Sequence, residues 1–120
     1  MNMRIWAVVY LSMFLTASTC CEHETIIPVC DVSEPTTQLV WLKEKIEAIQ
    51  TSSIRKYMYV VQAEYEGKPV FYISNCCPFC LSTPPTVYDC EGNELFQLSG
   101  ARQVTNTRVI WKPIDFPCHD

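Results

Sequence analysis

Val70-Phe71-Tyr72-Ile73-Ser74-Asn75-Cys76-Cys77-Pro78-Phe79-Cys80 is the stretch that decides the fold. A β-branched and aromatic run, the composition of a strand, leads directly into three cysteines. Just upstream, Tyr57 to Tyr65 alternates at the strand period. Tyr57, Tyr59, Val61, Ala63 and Tyr65 share one side, while Met58 and Val60 share the other before it gives way to Gln62 and Glu64. Glu66-Gly67-Lys68 is the turn between the two runs, so 57–73 reads as a hairpin, and Pro69 at the start of the return strand costs no interior ladder bond. The tyrosine side is expected to be the half-buried face of a sheet packing on a helix, rather than a carbohydrate or stacking surface.

That helix lies upstream. Ser33-Glu34-Pro35 opens it, with Ser33 or Thr36 as cap and proline tolerated in the first turn. Leu39, Leu42, Ile46 and Ile49 fall on one face of a 3.6-residue period, which Val40 and Trp41 widen at its start. Lys43, Glu44, Lys45 and Glu47 form a solvated face, and Thr51-Ser52-Ser53 ends the helix. Downstream of the cysteines, Ser82-Thr83-Pro84-Pro85 is a rigid connector. Thr86 to Asp89 and Leu95 to Leu98 flank Glu91-Gly92-Asn93, a second hairpin whose glycine supplies positive φ. Ser99-Gly100-Ala101 opens a polar loop, Thr107 to Trp111 alternates weakly as a fifth strand, and Lys112-Pro113 stops it. The expected fold is α+β: one N-terminal helix packed on a small antiparallel sheet of four to five strands, disulfide-stapled, in a single domain over 35–120.

The chain has 120 residues, which sets one domain as the ceiling. Its first twenty residues read as a signal peptide. A basic start at Arg4 is followed by the apolar run Ile5 to Ala17, too short to span a bilayer, and then by small residues suited to processing. Removing Arg4 leaves 8 basic against 13 acidic residues, a formal charge of −5. This balance argues against nucleic acid as a partner and offers no polybasic patch to anionic lipid. Cys20 and Cys21 stand where a bacterial lipoprotein is cut and acylated. If Cys21 carries lipid, Cys30, Cys76, Cys77, Cys80, Cys90 and Cys118 remain and all six can pair; if Cys20 does, one cysteine is left odd. Residues 21–34 then form a tether. The localisation that follows is export to a bacterial cell envelope with a membrane anchor through lipid, and plain secretion is the alternative.

Export brings the cysteines into an oxidising compartment. Cys77-Pro78-Phe79-Cys80 has the spacing of dithiol oxidoreductases, whose nucleophilic thiolate is stabilised at a helix N-terminus. Here Leu81-Ser82-Thr83-Pro84-Pro85 follows, and two prolines forbid that helix. Zinc is a second reading of the cysteines, but Cys90 has no close partner and His23 and His119 lie at opposite ends. The third is three disulfides tying both chain ends and the second hairpin to the Cys76–Cys80 knot. Adjacent Cys76 and Cys77 point to opposite sides of an extended segment and take different partners, while fifteen pairings of six cysteines stay open. No Gly-x-Ser-x-Gly, phosphate loop or His-Glu-x-x-His occurs, and Asp89, Glu91 and Glu94 form a solvated acidic group beside a turn.

Trp41-Leu42-Lys43-Glu44-Lys45-Ile46, the tyrosine-rich hairpin turning at Glu66-Gly67-Lys68, the Cys76-Cys77 doublet and Val87-Tyr88-Asp89-Cys90-Glu91-Gly92-Asn93 follow in order. Over about 35–95 the chain resembles a family of small bacterial lipoproteins containing a domain of unknown function. Such proteins end in a glycine-rich segment with a final cysteine; Gly100 to Phe116 departs from that pattern, and Pro117-Cys118 is similar to its close. The resemblance implies envelope location and no assigned activity, so it carries over no catalytic residue.

The functional expectation is an exported, lipid-anchored, non-enzymatic binding or structural module with no cofactor and no metal; no residue pattern selects a protein over a glycan partner. The alternatives are a thiol–disulfide oxidoreductase using Cys77 and Cys80, and a small secreted inhibitor-like domain.

Overall fold

The computed structural model describes residues 27–81, 83–100 and 103–119; the expected signal peptide, Cys20 and Cys21 lie outside them. Two α-helical segments, α1 (Pro35–Gln38) and α2 (Val40–Gln50), and a 3-10 turn (Arg55–Tyr57) that takes in Tyr57, expected in the first strand, precede five strands: β1 (Met58–Tyr65), β2 (Lys68–Asn75), β3 (Thr86–Tyr88), β4 (Glu94–Gln97) and β5 (Thr105–Trp111). The strands form one open sheet in the order β4-β3-β2-β1-β5, with every neighbouring pair antiparallel. An α+β fold of one main helix on a small antiparallel sheet, as the residue pattern predicts, is what the chain forms.

The helix departs from the expected continuous one. Leu39, at φ −83° and ψ 108°, is extended and separates α1 from α2. Neither Ser33 nor Thr36 caps it. Instead the Gln38 side chain reaches back, its Oε1 accepting from the Glu34 backbone N–H at 2.9 Å and from Ser33 Oγ at 3.2 Å. Leu42, Ile46 and Ile49 are the buried stripe of α2; Val40, expected to widen it, is 70% exposed because the break at Leu39 restarts the helix with that residue outward.

The β1–β2 hairpin pairs Tyr65 with Lys68 across Glu66 and Gly67, whose φ values of 52° and 75° are those of a two-residue type I′ turn. On one face Leu42, Ile46 and Ile49 pack on Val60 and Phe71, with Met58, Ile73, Ile110 and Trp111 around them. On the other, Ala63, Val70 and Val87 form a second buried cluster edged by Tyr65, Tyr72 and Phe96. The tyrosine side is therefore half-buried, but it is not the helix side. Met58 to Val61 is apolar at four successive positions, so alternation alone does not say which face the helix takes.

The chain's own C-terminal part covers the tyrosine face. β4 and β5 are opposite edges of the sheet, roughly 19 Å apart at the usual strand spacing. Residues 98–104 connect them, and Leu98 and Val104 pack on the Ala63–Val70–Val87 cluster. Phe116 then meets Tyr59 edge-on at 5.6 Å between ring centres. Burial, and then the neighbouring Tyr59, push the Tyr72 phenol above its ordinary value, so it is neutral on this face. β5 joins β1 with two register shifts. At one of them Asn106 takes φ 50° and donates from Nδ2 to Glu64 Oε2 at 2.9 Å. A bulged edge of this kind blunts pairing with another sheet.

Candidate functional site

Antiparallel pairing puts both hairpin turns at one end of the sheet. The β3–β4 turn is organised by Asp89: its Oδ1 accepts from the backbone N–H groups of Glu91 at 3.0 Å and Asn93 at 2.9 Å, and its Oδ2 accepts from Asn93 Nδ2 at 3.2 Å. Slight burial raises the Asp89 carboxyl, but the hydrogen bonds from Asn93 and Glu91 outweigh it and hold the group below the usual carboxylate value. Gly92, at φ 83°, passes under the Trp41 ring, where a Cβ would lie 2.7 Å from Cγ of the indole. Trp41 in turn donates Nε1–H to the Cys90 carbonyl at 2.8 Å and stacks at a tilt on Tyr88. Lys45 Nζ sits 4.5 Å from the centre of the same tyrosine ring.

Cys90 also bonds Cys30, with 5.5 Å between their Cα atoms. Val29 and Val32 pair across Cys30 and Asp31, both at positive φ, and Val29 and Cys30 pack against the helix-side core. The start of the described chain is thus bolted to the β3–β4 turn and not, as expected, to the Cys76–Cys80 knot. Consecutive strands and the helix run in opposite directions, so the beginning of α2 and the second hairpin meet at one end while the knot lies at the other.

Between the two turns lies a cleft of about 530 Å³, walled by Tyr65, Val70, Leu95 and Phe96 and rimmed by Glu66, Lys68, Asp89 and Glu91. The Tyr65 and Phe96 rings pack at a tilt of 58°, 4.6 Å between ring centres. Its volume is that of small-ligand sites. Among the described residues, further clefts of about 510, 530 and 420 Å³ lie along β5 and the segments beside it, lined without an aromatic pair or a set of carboxylates. In the sequence Asp89 and Glu91 read as a solvated group, and nothing joins them to Glu66, because only the β2–β3 pairing of Phe71 with Tyr88 aligns the two turns. The available signal was that each turn carries an acidic residue within a few positions of an aromatic one.

At the far end Cys76 bonds Cys118 and Cys77 bonds Cys80. The adjacent cysteines take different partners, as their opposite directions require. Cys76 pins the C-terminal segment beside Tyr57, whose carbonyl accepts from the Cys76 backbone N–H at 3.0 Å. The Cys77-Pro78-Phe79-Cys80 segment is a turn with no helix after it. Cys77 is 9% exposed, and Phe79 at 88% and Leu81 at 101% stand in solvent. All six cysteines considered for cross-linking are paired, so no thiolate is left among them for zinc. Among the described residues no His, Cys, Asp or Glu cluster has metal-binding geometry.

Fold and cross-links together define a small disulfide-stapled α+β domain: one helix on an open five-stranded sheet, clamped at both ends. No protein-family model, curated protein or solved structure matches this chain. Disulfides that join distant segments belong to an oxidising, extracytoplasmic setting. Among the described residues no helix is long and apolar enough to cross a membrane.

Proposed function

We propose that the protein is exported and held at a bacterial cell envelope by lipid on Cys21, or on Cys20, and works there as a non-enzymatic binding module of the small-lipoprotein type. Its contact surface is the turn-end cleft. The observation that carries the reading is that the β3–β4 turn, which forms one side of the cleft, is held from three directions: the Cys30–Cys90 bridge, the Asp89 hydrogen bonds and the Trp41 wedge all bear on residues 89–93. A surface fixed before its ligand arrives loses little freedom on binding. The tether reaches the domain at Cys30, beside Cys90 on the cleft wall, so an anchored protein holds this end toward the bilayer. Labelled palmitate incorporation and the intact mass of the non-reduced exported protein test the proposal. Acylation at Cys21 or Cys20 with three intact disulfides is the expected result; a mature chain without lipid, or with free thiols, overturns it.

A second reading is thiol–disulfide exchange at Cys77–Cys80, favoured by the position of that bond in a solvent-exposed turn flanked by Phe79. An external thiolate would attack the outer sulfur of Cys80 and release Cys77 as the thiolate. Oxidase or reductase turnover with a dithiol substrate, abolished in Cys80→Ser and unchanged in Glu66→Gln, would replace the first reading with this one.

A further inference from the structure

We infer that the turn-end cleft takes an apolar stem ending in an ammonium or guanidinium group. The inference rests on the cleft being a binding surface and adds the chemical class of what it binds. Its walls are Tyr65, Phe96, Leu95 and Val70, an apolar lining with an aromatic pair, and among the described residues its rim carries the carboxylates Glu66, Asp89 and Glu91 against the ammonium of Lys68. Asp89 is occupied in holding its own turn, yet its charge still contributes to the field over the cleft. Glu66 and Glu91 are exposed, and among the described residues their carboxylates make no hydrogen bond or ion pair.

Two unpaired carboxylates above a low-dielectric apolar wall focus a negative potential into a concave site. An anionic ligand is repelled there. A neutral apolar ligand would cover the walls but leave the rim charges uncompensated. A lysine- or arginine-like group satisfies both parts: the methylene stem lies along Leu95, the cation approaches the Tyr65 ring, and the head reaches Glu66 or Glu91. The net acidity of the exported part, 13 acidic against 8 basic residues, acts in the same direction.

Free amines and polypeptide side chains share this chemistry, and the test separates them. The exported, disulfide-bonded protein is titrated, with amide and aromatic resonances followed by NMR, using agmatine, acetyl-Gly-Arg-Gly-amide, acetyl-Gly-norleucine-Gly-amide and acetyl-Gly-Glu-Gly-amide. The expected result is saturable shifts of Tyr65, Val70 and Phe96 with a cationic probe. Affinity should fall as salt rises and drop roughly tenfold in the Glu66→Gln/Glu91→Gln double variant, whose sites are exposed and whose fold is kept. Saturation by agmatine alone assigns a free amine; saturation by the arginine peptide assigns a polypeptide side chain. If the norleucine or glutamate peptide binds the same residues as tightly as arginine, the cleft stands as a binding surface and the cation inference fails. If no probe moves these resonances, both fail.

Discussion

The indole Nε1 of Trp41 donates to the backbone carbonyl of Cys90 at 2.8 Å, joining the first turn of the helix to the β3–β4 turn across 49 residues. The same ring meets Phe71 edge-on at 5.8 Å and closes over Gly92. One side chain thereby sets both the position of the helix on the sheet and the shape of the turn that forms one side of the cleft.

Trp41→Phe keeps most of the apolar ring and removes the donor. It should destabilise the oxidised protein by about 1–2 kcal/mol, the cost of a part-buried carbonyl losing its partner. Trp41→Ala, which also empties the space over Phe71 and Tyr88, should cost about 3–5 kcal/mol. Urea unfolding followed by tyrosine fluorescence and circular dichroism checks both, and equal costs for the two variants would refute the assignment.

Gly67 and Gly92 both have positive φ, 75° and 83°, but differ in surroundings. A Cβ at Gly67 meets nothing within 4 Å, so Gly67→Ala should cost only the conformational term, about 1 kcal/mol. A Cβ at Gly92 strikes the Trp41 ring at 2.7 Å, so Gly92→Ala should cost clearly more. The excess should shrink when Trp41 is already Ala, a coupling that a double-mutant cycle in urea reads directly.

The three bridges close loops of very different length, with sequence separations of 60, 42 and 3. In the chain-entropy account, Cys30–Cys90 and Cys76–Cys118 each contribute about 4 kcal/mol and Cys77–Cys80 about 2 kcal/mol. Paired Cys→Ser variants should lower the melting temperature in that order. Under mild reductant, alkylation and mass spectrometry should show Cys77 and Cys80 labelled first, since their turn is the most open and the least protected by loop length.

Asp89 predicts the acid response. Its folded-state carboxyl lies below the ordinary value of 3.8, because the hydrogen bonds from Asn93 and Glu91 outweigh the burial that would raise it. A depressed folded value means the contribution to stability is complete above the unfolded value and disappears as pH falls through the folded one. The stability difference between the protein and Asp89→Asn should therefore be constant from neutral pH down to about 4 and close below it. Chemical denaturation across that range measures it, and a difference that grows with acid would contradict the assignment.

Much of the fold is legible in local pattern. The Tyr57 to Tyr65 run and the β-branched and aromatic run Val70 to Ile73 mark strands, Glu66-Gly67 supplies the turn, and Leu42, Ile46 and Ile49 mark the buried side of the helix. These are nearest-neighbour properties of the chain, so residue type and spacing carry them. The same holds for the divergence of Cys76 and Cys77, which follows from the direction of adjacent side chains in an extended backbone. The break at Leu39 was not legible, since nothing in Pro35 to Val40 forbids a continuous helix.

Residue order and chemistry by themselves determined the elements apart from the break at Leu39, the antiparallel hairpins and the commitment of the cysteines to cross-links. Tertiary structure alone decided which sheet face receives α2, which covers the other with Leu98, Val104 and Phe116, and which cysteine meets which. It also brought Glu66 alongside Asp89 and Glu91 to make a cleft. The physical reason is range. Periodicity and turn chemistry act over a few residues, whereas a face, a bridge or a cleft is chosen by packing between segments tens of residues apart, where only the global balance of burial selects one arrangement.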